Sequence, residues 1–495
     1  MAFKAVKLDP IAAPARPARG SAGEVVDAQI ANGAACEDAP APEAARDARP
    51  ESYDLATAIR VVQEMETSHG RAAVYEEIKA KNRVYAFVDR LYILAGARLF
   101  QPLILFAYMI KCVVSLGPFA RDGAKAVAIA NFPNEHKTIE RLAALVPGVA
   151  INRMSIARSH IFAPGQLAGM LAMLKAAPRI WSFLRVLVRR HSFMPAARIA
   201  STLAFYMRFA RMFAESPALK AALVASNYSP EAVGMAAAAH RHGRRVIYSN
   251  HAPVPANGTV VPPVLADCAM FHGEETLQTY RRRSRCGAEV GYIGQPGTAR
   301  AMEWRDTLDT IGIFLTSGTK ADVLQSLIAS IRLDLPAARI IVRQHPVTLL
   351  KTDFAGIGVD DPLTELTIGN PLDDEIAACD MVVCGNSGVA MNVLSGGRPV
   401  AYLSSLDGIK FDANGFVASR LVLSVPWWTD DIYDRLKGFY QAPGWRGVMR
   451  SYDASYGADI DALKRAAAEV MMRHLQPRDN VTGSIVQPAE ALRAG

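Results

Sequence analysis

The sequence predicts an α/β protein built from two doubly wound domains, with a helical and basic segment inserted into the first. Three observations lead to this prediction. The chain has 495 residues, which is more than one ordinary hydrophobic core supports. Short apolar stretches alternate with helical ones between residues 311 and 403, and the first half has a similar strand–loop–helix unit at residues 126–145. Such alternation is typical of parallel sheets with helices on both faces.

Composition restricts the class of protein further. Hydrophobic residues make up 51% of the chain, which excludes global disorder. The six cysteines are scattered and form no CxxC pair. This usage favours a reducing compartment and argues against both a disulfide framework and a structural zinc site.

Changes in composition divide the chain into four parts. Residues 1–52 are rich in Ala and Pro, and we expect them to be disordered because they bury too little apolar surface to offset the cost of ordering. Residues 53–295 are predicted to form the first domain and residues 296–475 the second. Residues 476–495 are predicted to be a flexible tail. The N-terminal segment does not have the pattern of a secretory signal, so we expect a cytoplasmic protein.

The most apolar part of the chain is residues 91–116. Its longest uninterrupted apolar run, residues 102–110, has nine residues, whereas a transmembrane helix needs about 20. We therefore expect a buried or interfacial helix here rather than a membrane span.

Positive charge is concentrated in one segment. Residues 151–220 contain eleven Lys or Arg residues and a single acidic residue, which gives this segment a charge of +10 in a chain of +8. Trp181, Phe183, Phe205 and Phe209 lie between the basic residues. This pattern on helices favours a surface held at anionic lipid, and the alternative is a core stripe with a solvated basic face. Nucleic acid is not an expected partner, since no nucleic-acid-reading motif is present.

Polar and glycine residues follow three predicted strands of the second domain, at residues 316–319, 343–345 and 385–388. Ligands of open α/β sheets bind at the carboxyl ends of strands, and three such ends in one sheet converge on one crevice. Glycines there let backbone N–H groups approach a phosphate. The alternatives are that Ser387 only caps its helix and that His345 is structural.

These motifs resemble the nucleotide-binding domain of GT-B glycosyltransferases. The order Ser-Gly-Thr, His-Pro, Asn-Ser-Gly and Gly-Arg-Pro is similar to that of bacterial capsule polysaccharide, polysialyltransferase-like and CDP-glycerol glycerophosphotransferase-like enzymes, over residues 311–403. The resemblance implies two Rossmann-like domains and a nucleotide-activated sugar donor whose phosphate is held by His345 and Ser387. The residues that it places at the donor are Ser317, Gly318, Thr319, Arg343, Gln344, His345, Asn386, Ser387, Gly388 and Asn392.

One departure from that family pattern bears on the donor. Many GT-B enzymes have a Glu that binds the donor ribose in the helix after the Ser-Gly turn, where this chain has Asn392. The resemblance therefore favours a CMP- or CDP-linked sugar, with a UDP-linked sugar as the alternative. No Asp-x-Asp motif follows a predicted strand, and GT-B enzymes generally stabilise the leaving phosphate with side chains and helix ends. Neither a metal ion nor another cofactor is expected.

The first domain is expected to bind the acceptor. Glu135 or His136, in the loop after the strand at 126–130, is a candidate general base for an acceptor hydroxyl. His251 follows a later strand and is a third candidate, and His345 is the candidate in the second domain. The alternative for the first loop is a solvated turn with a helix cap. The sequence does not choose among the four.

Together these features predict a metal-independent GT-B glycosyltransferase that acts on a surface polysaccharide or glycolipid. It is expected to bind peripherally to the inner face of the cytoplasmic membrane. Two alternatives remain open. A non-hydrolysing nucleotide-sugar 2-epimerase shares the architecture and the Ser-Gly turn but has no use for a basic, apolar insertion. A non-catalytic membrane scaffold on the same fold would not hydrolyse a donor.

Overall fold

The computed structural model describes residues 53–476, apart from residues 82, 95–99, 120–122, 164–165, 298, 317, 346–353, 355 and 408–410. The tail predicted at residues 1–52, and all of the tail predicted at residues 476–495 except its first residue, lie outside the described residues. Ser317, one of the predicted donor-binding residues, also lies outside them.

A layer of helices precedes the first sheet. Its members are α1 (Leu55–Glu66), α2 (His69–Lys81), α3 (Arg83–Leu94) and α4 (Gln101–Ser115). Helix α4 falls in the apolar segment for which a buried or interfacial helix was predicted, and half of its length packs into the first core. Within the described ranges, no helix combines the length and the apolar character needed to cross a membrane.

The first sheet is parallel and six-stranded, in the order β2-β1-β3-β4-β5-β6. Its strands are β1 (Ala126–Ile129), β2 (Ile151–Met154), β3 (Ala221–Val224), β4 (Arg245–Ser249), β5 (Cys268–Phe271) and β6 (Glu289–Tyr292). The helices that connect them are α5 (Pro133–Leu145), α6 (Gln166–Arg190), α7 (Phe193–Glu215), α8 (Pro230–Arg241) and α9 (Glu274–Arg283). Every residue of β1, β3 and β5 is buried, as expected for strands covered on both faces.

The basic insertion lies between β2 and β3 and is mainly helical, as predicted. A short 3₁₀ helix (Arg158–Phe162) leads into the long helices α6 and α7. One prediction for this segment is wrong: Phe205 and Phe209, expected among the lipid-facing aromatics, are 3% and 0% exposed and belong to the core. The physical reason is that α7 packs against α1 and α4 on one side and α8 on the other, so that it has little outer face.

The second sheet is also parallel and six-stranded, in the order β12-β11-β10-β7-β8-β9. Its strands are β7 (Thr310–Phe314), β8 (Arg339–Arg343), β9 (Thr364–Thr367), β10 (Met381–Cys384), β11 (Val400–Leu403) and β12 (Leu423–Val425). Its helices are α10 (Ala321–Asp334), α11 (Leu372–Ala378), α12 (Val389–Ser395), α13 (Ile432–Tyr440) and α14 (Trp445–Tyr452). Two parallel six-stranded sheets flanked by helices confirm the predicted fold class.

The last helix, α15 (Ile460–Leu475), crosses back to the first domain. Ala467, Met471 and Leu475, from the range predicted as the second domain, pack into the core of the first sheet. The outer face of the first sheet near β4–β6 needs an apolar cover, and α15 supplies it.

A buried carboxylate joins the segments that cross between the domains. Asp453 is 0% exposed, and its carboxylate accepts hydrogen bonds from Gln295 N at 3.0 Å and from Ser395 Oγ at 2.8 Å. Arg141 of α5 donates through Nη2 to the carbonyl oxygens of residues 293, 294 and 295 at 2.9–3.1 Å. The linker after β6 is therefore held by both domains.

Candidate functional site

Loops at the carboxyl ends of the two sheets contact each other. In the loop after β4, Pro253 packs against Gly388, which lies in the turn after β10. The same loop donates Ala256 N to Ala413 O at 2.7 Å. Two Rossmann-like domains with facing carboxyl edges, and a last helix that returns to the first domain, constitute the GT-B arrangement. Ligands of such sheets bind where the strand order reverses.

In the second domain the strand order reverses between β7 and β10, and two predicted motifs meet there. Thr316, after β7, lies beside Gly385, after β10, where a β-carbon would be 3.5 Å from the Thr316 methyl group. The Thr319 hydroxyl accepts a hydrogen bond from Thr316 N at 3.2 Å, and Gly318 N donates to Thr316 Oγ1 at 3.3 Å. These hydroxyl groups fix the shape of the turn at the floor of the cleft.

The turn after β10 is closed by a carboxylate that the sequence analysis missed. Asn386 N donates to Asp407 Oδ2 at 2.7 Å, and the Asn386 side chain donates to Phe411 O at 2.6 Å. Ser387 Oγ accepts from Val389 N at 3.3 Å, and the N-cap residue of α12 is Gly388. Helix α12, with half-buried Asn392, has seven residues. Asp407 lies 23 residues after Cys384, and no local pattern marks it.

The three predicted residues at the end of β8, Arg343, Gln344 and His345, have different environments. Arg343 forms a largely buried ion pair with Glu375 and donates to Asn370 O at 2.9 Å, so its guanidinium has structural partners. Gln344 is fixed through its backbone N–H, which donates to Thr367 O at 3.0 Å. His345 is half-buried at the carboxyl end of the strand. All three residues are half-buried.

In the first domain, Glu135 holds the loop after β1 in shape. Its carboxylate is 4% exposed and accepts hydrogen bonds from Asn131 N at 2.8 Å and Phe132 N at 3.3 Å. This is the reciprocal half of a capping box, so the geometry gives Glu135 the helix-cap role that was the alternative to catalysis. His136, the next residue, is half-exposed on the first turn of α5.

A second buried carboxyl group, Glu231, lies at the same edge and was not predicted. It is in the first turn of α8, after β3, and accepts a hydrogen bond from Asn131 Nδ2 at 2.7 Å. Burial raises the pKa of Glu231 above its ordinary value, although its own backbone N–H and the charge of Arg198 act in the opposite direction. The only sequence signal for it was an acidic residue that follows a strand and a Ser-Pro helix start.

Two histidines follow the next strands of the first sheet. His251 Nδ1 lies 2.5 Å from Ala225 O, a geometry in which Nδ1 carries the proton and Nε2 keeps the lone pair. His272, after β5, is buried, and its Nε2 has no hydrogen-bond partner among the described residues. Burial, together with the nearby charges of Arg141 and His251, lowers the pKa of His272 to about 3. His272 is therefore neutral at physiological pH.

The described ranges contain no group of three or more His, Cys, Asp or Glu side chains that could hold a metal ion. The arrangement instead offers hydroxyl, amide and imidazole groups on both sides of a cleft. Such groups can position a polar ligand, accept a proton from a hydroxyl and stabilise developing charge on a leaving group.

Comparisons with known proteins find weak structural similarity. No protein-family model and no curated protein matches the sequence. The S. aureus MnaA–UDP structure is 11% identical, with 71% of this chain and 96% of that chain covered, at a TM-score of 0.43. UDP-GlcNAc 2-epimerase from Neisseria meningitidis, bound to UDP-GlcNAc, is 12% identical, with 70% and 99% covered, at 0.43. MurG of Acinetobacter baumannii is 11% identical, with 70% and 99% covered, at 0.38. At these values no activity can be transferred to the chain, and the fold assignment rests on its own topology.

Proposed function

We propose that the chain is a glycosyltransferase that moves a sugar from a nucleotide-linked donor onto a glycan or glycolipid acceptor. The observation that carries the proposal is the contact between Pro253 and Gly388, which brings the carboxyl edges of two Rossmann-like sheets to one cleft. A donor in the second domain and an acceptor in the first would then meet between them.

The donor is assigned to the edge formed by β7, β8 and β10. Because Asp407 already accepts the Asn386 N–H, we assign the donor phosphate to His345 and Ser387 and not to that N–H group. Asn392 would replace the family's ribose-binding Glu, which favours a CMP- or CDP-linked sugar over a UDP-linked one. The leaving phosphate would be stabilised by side chains without a metal ion.

The acceptor is assigned to the edge formed by β1, β3 and β4. Glu135 is engaged in capping its helix, so we propose His251 as the general base. In this step the acceptor oxygen bonds to the anomeric carbon, the bond from that carbon to the phosphate oxygen breaks, and the acceptor proton passes to Nε2 of His251. The nucleotide leaves with the bonding electron pair.

The proposed location is the cytoplasm, with peripheral binding to the inner face of the cytoplasmic membrane. Support comes from the exposed face of α6, whose basic side chains are Lys175, Arg179, Arg185, Arg189 and Arg190. Nearby apolar side chains are also exposed, among them Leu167 at 65% and Phe162 at 92%.

A nucleotide screen followed by a transfer assay tests the function. Ligands that bind the native state raise its stability, so CMP, CDP, UDP and GDP are compared by thermal shift with the full chain. We expect a cytidine nucleotide to give the largest shift. The matching sugar donors are then incubated with and without a glycan acceptor. Interconversion of the sugar without an acceptor would establish the 2-epimerase instead. If none of the nucleotides binds, the non-catalytic membrane scaffold is the remaining alternative.

A comparison of His251→Gln with Glu135→Gln distinguishes the proposed general base from the residue that caps the helix. The removal of a general base lowers turnover by about 10²–10⁴-fold, and we expect this loss with unchanged nucleotide binding. Glu135→Gln is the comparison variant and is expected to reduce thermal stability more than turnover. A His251→Gln protein with normal turnover would return the choice to His136 and His345.

A further inference from the structure

A cavity of about 290 Å³ lies between α4, α6 and α7, outside the proposed donor site. The apolar part of its walls includes Val113, Phe119, Met173, Met207 and Met212. The volume is close to the lower end of small-molecule sites, roughly 300 Å³. A methylene group occupies about as much space as a water molecule, roughly 30 Å³. The cavity therefore has room for a single chain of roughly ten carbon atoms. Unbranched Met side chains can adapt to such a chain.

Polar groups are confined to a few positions of the cavity lining. Arg208, Arg211 and Glu215 line it together, with one net positive charge, and Arg211 is paired with Glu215 at 2.6 Å. Gln166 is 3% exposed; its Nε2 donates to Leu116 O at 2.7 Å. Gln166 Oε1 is buried and has no hydrogen-bond partner in the described part of the chain. A buried acceptor without a donor is unfavourable, so a ligand that offers an O–H or N–H group fits this position.

Gln166, in the lining of the cavity, is connected to the carboxyl edge of the first sheet. Leu116, the partner of Gln166, pairs with Ile156 in an isolated antiparallel bridge. Ile156 N in turn donates to Asn131 Oδ1 at 2.8 Å, and Asn131 lies directly after β1. Arg211 lies two residues before Phe213, which contacts His242 at the amino edge of the same sheet.

The outer surface of the same wall is apolar and exposed. Leu167, Leu171 and Leu174 follow one another at helical spacing on α6 and are 65%, 47% and 47% exposed. The other flank of these turns, with Ala168, Ala172 and Met173, lines the cavity. An exposed apolar surface of this kind is typical of contact with a lipid or a protein partner.

We propose that the cavity between α4, α6 and α7 binds one hydrocarbon chain of an anionic membrane lipid. The anionic head lies at Arg208 and Arg211, and a hydroxyl of the lipid donates to Gln166 Oε1. This site goes beyond the proposed function, and binding of the lipid does not depend on glycosyl transfer. The experiments therefore measure lipid binding and nucleotide binding separately.

Decyl phosphate, below its micelle concentration, is the probe, titrated by calorimetry into the full-length protein. We expect saturable binding of one molecule, and at least tenfold weaker binding of inorganic phosphate alone. Ala172→Trp fills the cavity and should weaken decyl phosphate at least tenfold. Ala176→Trp, one turn further along α6 and outside the lining, is the matched control and should bind as the native chain does. Arg208→Gln should weaken binding about fivefold or more.

A smaller substitution keeps the test valid if Ala172→Trp does not fold. Ala172→Cys should be alkylated by N-ethylmaleimide and protected by decyl phosphate, as followed by peptide mass spectrometry. Ala176→Cys should be alkylated at the same rate with and without the probe. Equal binding by folded Ala172→Trp, or no protection of Cys at 172, would overturn the proposal.

Nucleotide binding distinguishes this proposal from the proposed function. Ala172→Trp should leave the thermal shift with cytidine nucleotides unchanged. If decyl phosphate behaves as expected and no nucleotide binds, the result supports the lipid site and contradicts the proposed glycosyltransferase function. If nucleotides bind and decyl phosphate shows no saturable site, the transferase stands and the cavity proposal is overturned.

Discussion

His345 lies at the end of a buried strand, next to the strand-order reversal of the second sheet. If it holds the donor phosphate, His345→Ala should lower kcat/KM by at least about 100-fold, because a lost charge-stabilising group typically costs 10²–10³ in rate. The matched control is His242→Ala, another half-buried histidine at the amino edge of the first sheet. Steady-state kinetics on both folded proteins would test the role. Equal loss in both variants would assign the effect to stability.

His272 makes stability depend on pH. Its pKa is lowered to about 3 by burial, so between pH 3 and 6.5 the unfolded chain binds a proton that the native chain does not. Stability that is present above pH 6.5 is therefore lost as the pH falls toward 3. Between pH 7 and 5.5 the loss is about 1 kcal/mol. Denaturant unfolding at both values should show a smaller drop for His272→Gln than for the native chain.

The sequence identified the strand ends of the site but not the pairing of their side chains. Residues 316, 318–319, 344–345 and 385–388 lie at one edge, as their positions after strands implied. Their partners come from distant segments: Asp407 for Asn386, and Glu375 for Arg343. Such contacts depend on how loops fold over the sheet, and no local periodicity encodes them. Glu231 escaped notice for the same reason.

At the scale of elements, α6 and α7 differ in a way that their sequences conceal. Both are basic and rich in apolar residues, yet α6 has one exposed face and α7 is enclosed by helices on two sides. The apolar pattern indicates that a helix has buried positions, but the number of neighbours is a property of the assembled fold. The exposed large apolar residues of α6 are Leu167, Leu171 and Leu174, and not the aromatic residues that suggested a membrane surface.

Helix α15 gives an element-scale prediction. Met471 is fully buried against the first sheet, whereas neighbouring Met472 is only half-buried. Met471→Ala should reduce the free energy of unfolding by about 2–5 kcal/mol, because it leaves a cavity in a packed core. Met472→Ala should cost clearly less. Denaturant midpoints of the two variants provide the comparison, and equal midpoints would contradict the packing of α15 described above.

At the scale of the molecule, the two sheets were predictable but the connections between the domains were not. The alternation of strands and helices determines a doubly wound sheet almost alone. The hydrogen bond from Gln295 N to Asp453 joins residues that are 158 positions apart. Their positions follow from the packing of whole domains, which a local pattern cannot specify.

Gly294 tests the junction between the domains. Its φ is +70°, and a β-carbon there would lie 2.5 Å from Ser455 Cβ. Gly294→Ala should destabilise the protein by more than about 1–2 kcal/mol, the ordinary cost of the left-handed conformation, because the clash adds to it. Gly438→Ala is the control: it is exposed in α13 with open space around it, and should stabilise by up to about 1 kcal/mol. A Gly294→Ala variant with unchanged stability would show that the junction accommodates the β-carbon without a loss of stability.

The exposed basic face of α6 predicts binding of the whole protein to anionic membranes. Its five Lys and Arg side chains point to solvent, and each basic residue near an anionic surface contributes about 1 kcal/mol. Attraction at distances beyond about 8 Å is screened at physiological salt, so binding should weaken as salt is added. The exposed leucines of α6 should add a component that salt does not remove. Flotation with vesicles of increasing anionic lipid content measures both.

Charge reversal identifies the face responsible. Replacement of Arg185, Arg189 and Arg190 by Glu should abolish flotation with anionic vesicles, while the same change at exposed Arg446, Lys464 and Arg465 should not. Equal recovery with neutral and anionic vesicles, or none with either, would assign the basic face to an acidic acceptor glycan. Turnover on a soluble acceptor then decides. Normal turnover of the α6 variant together with lost flotation supports the membrane, whereas lost turnover with retained flotation supports the glycan.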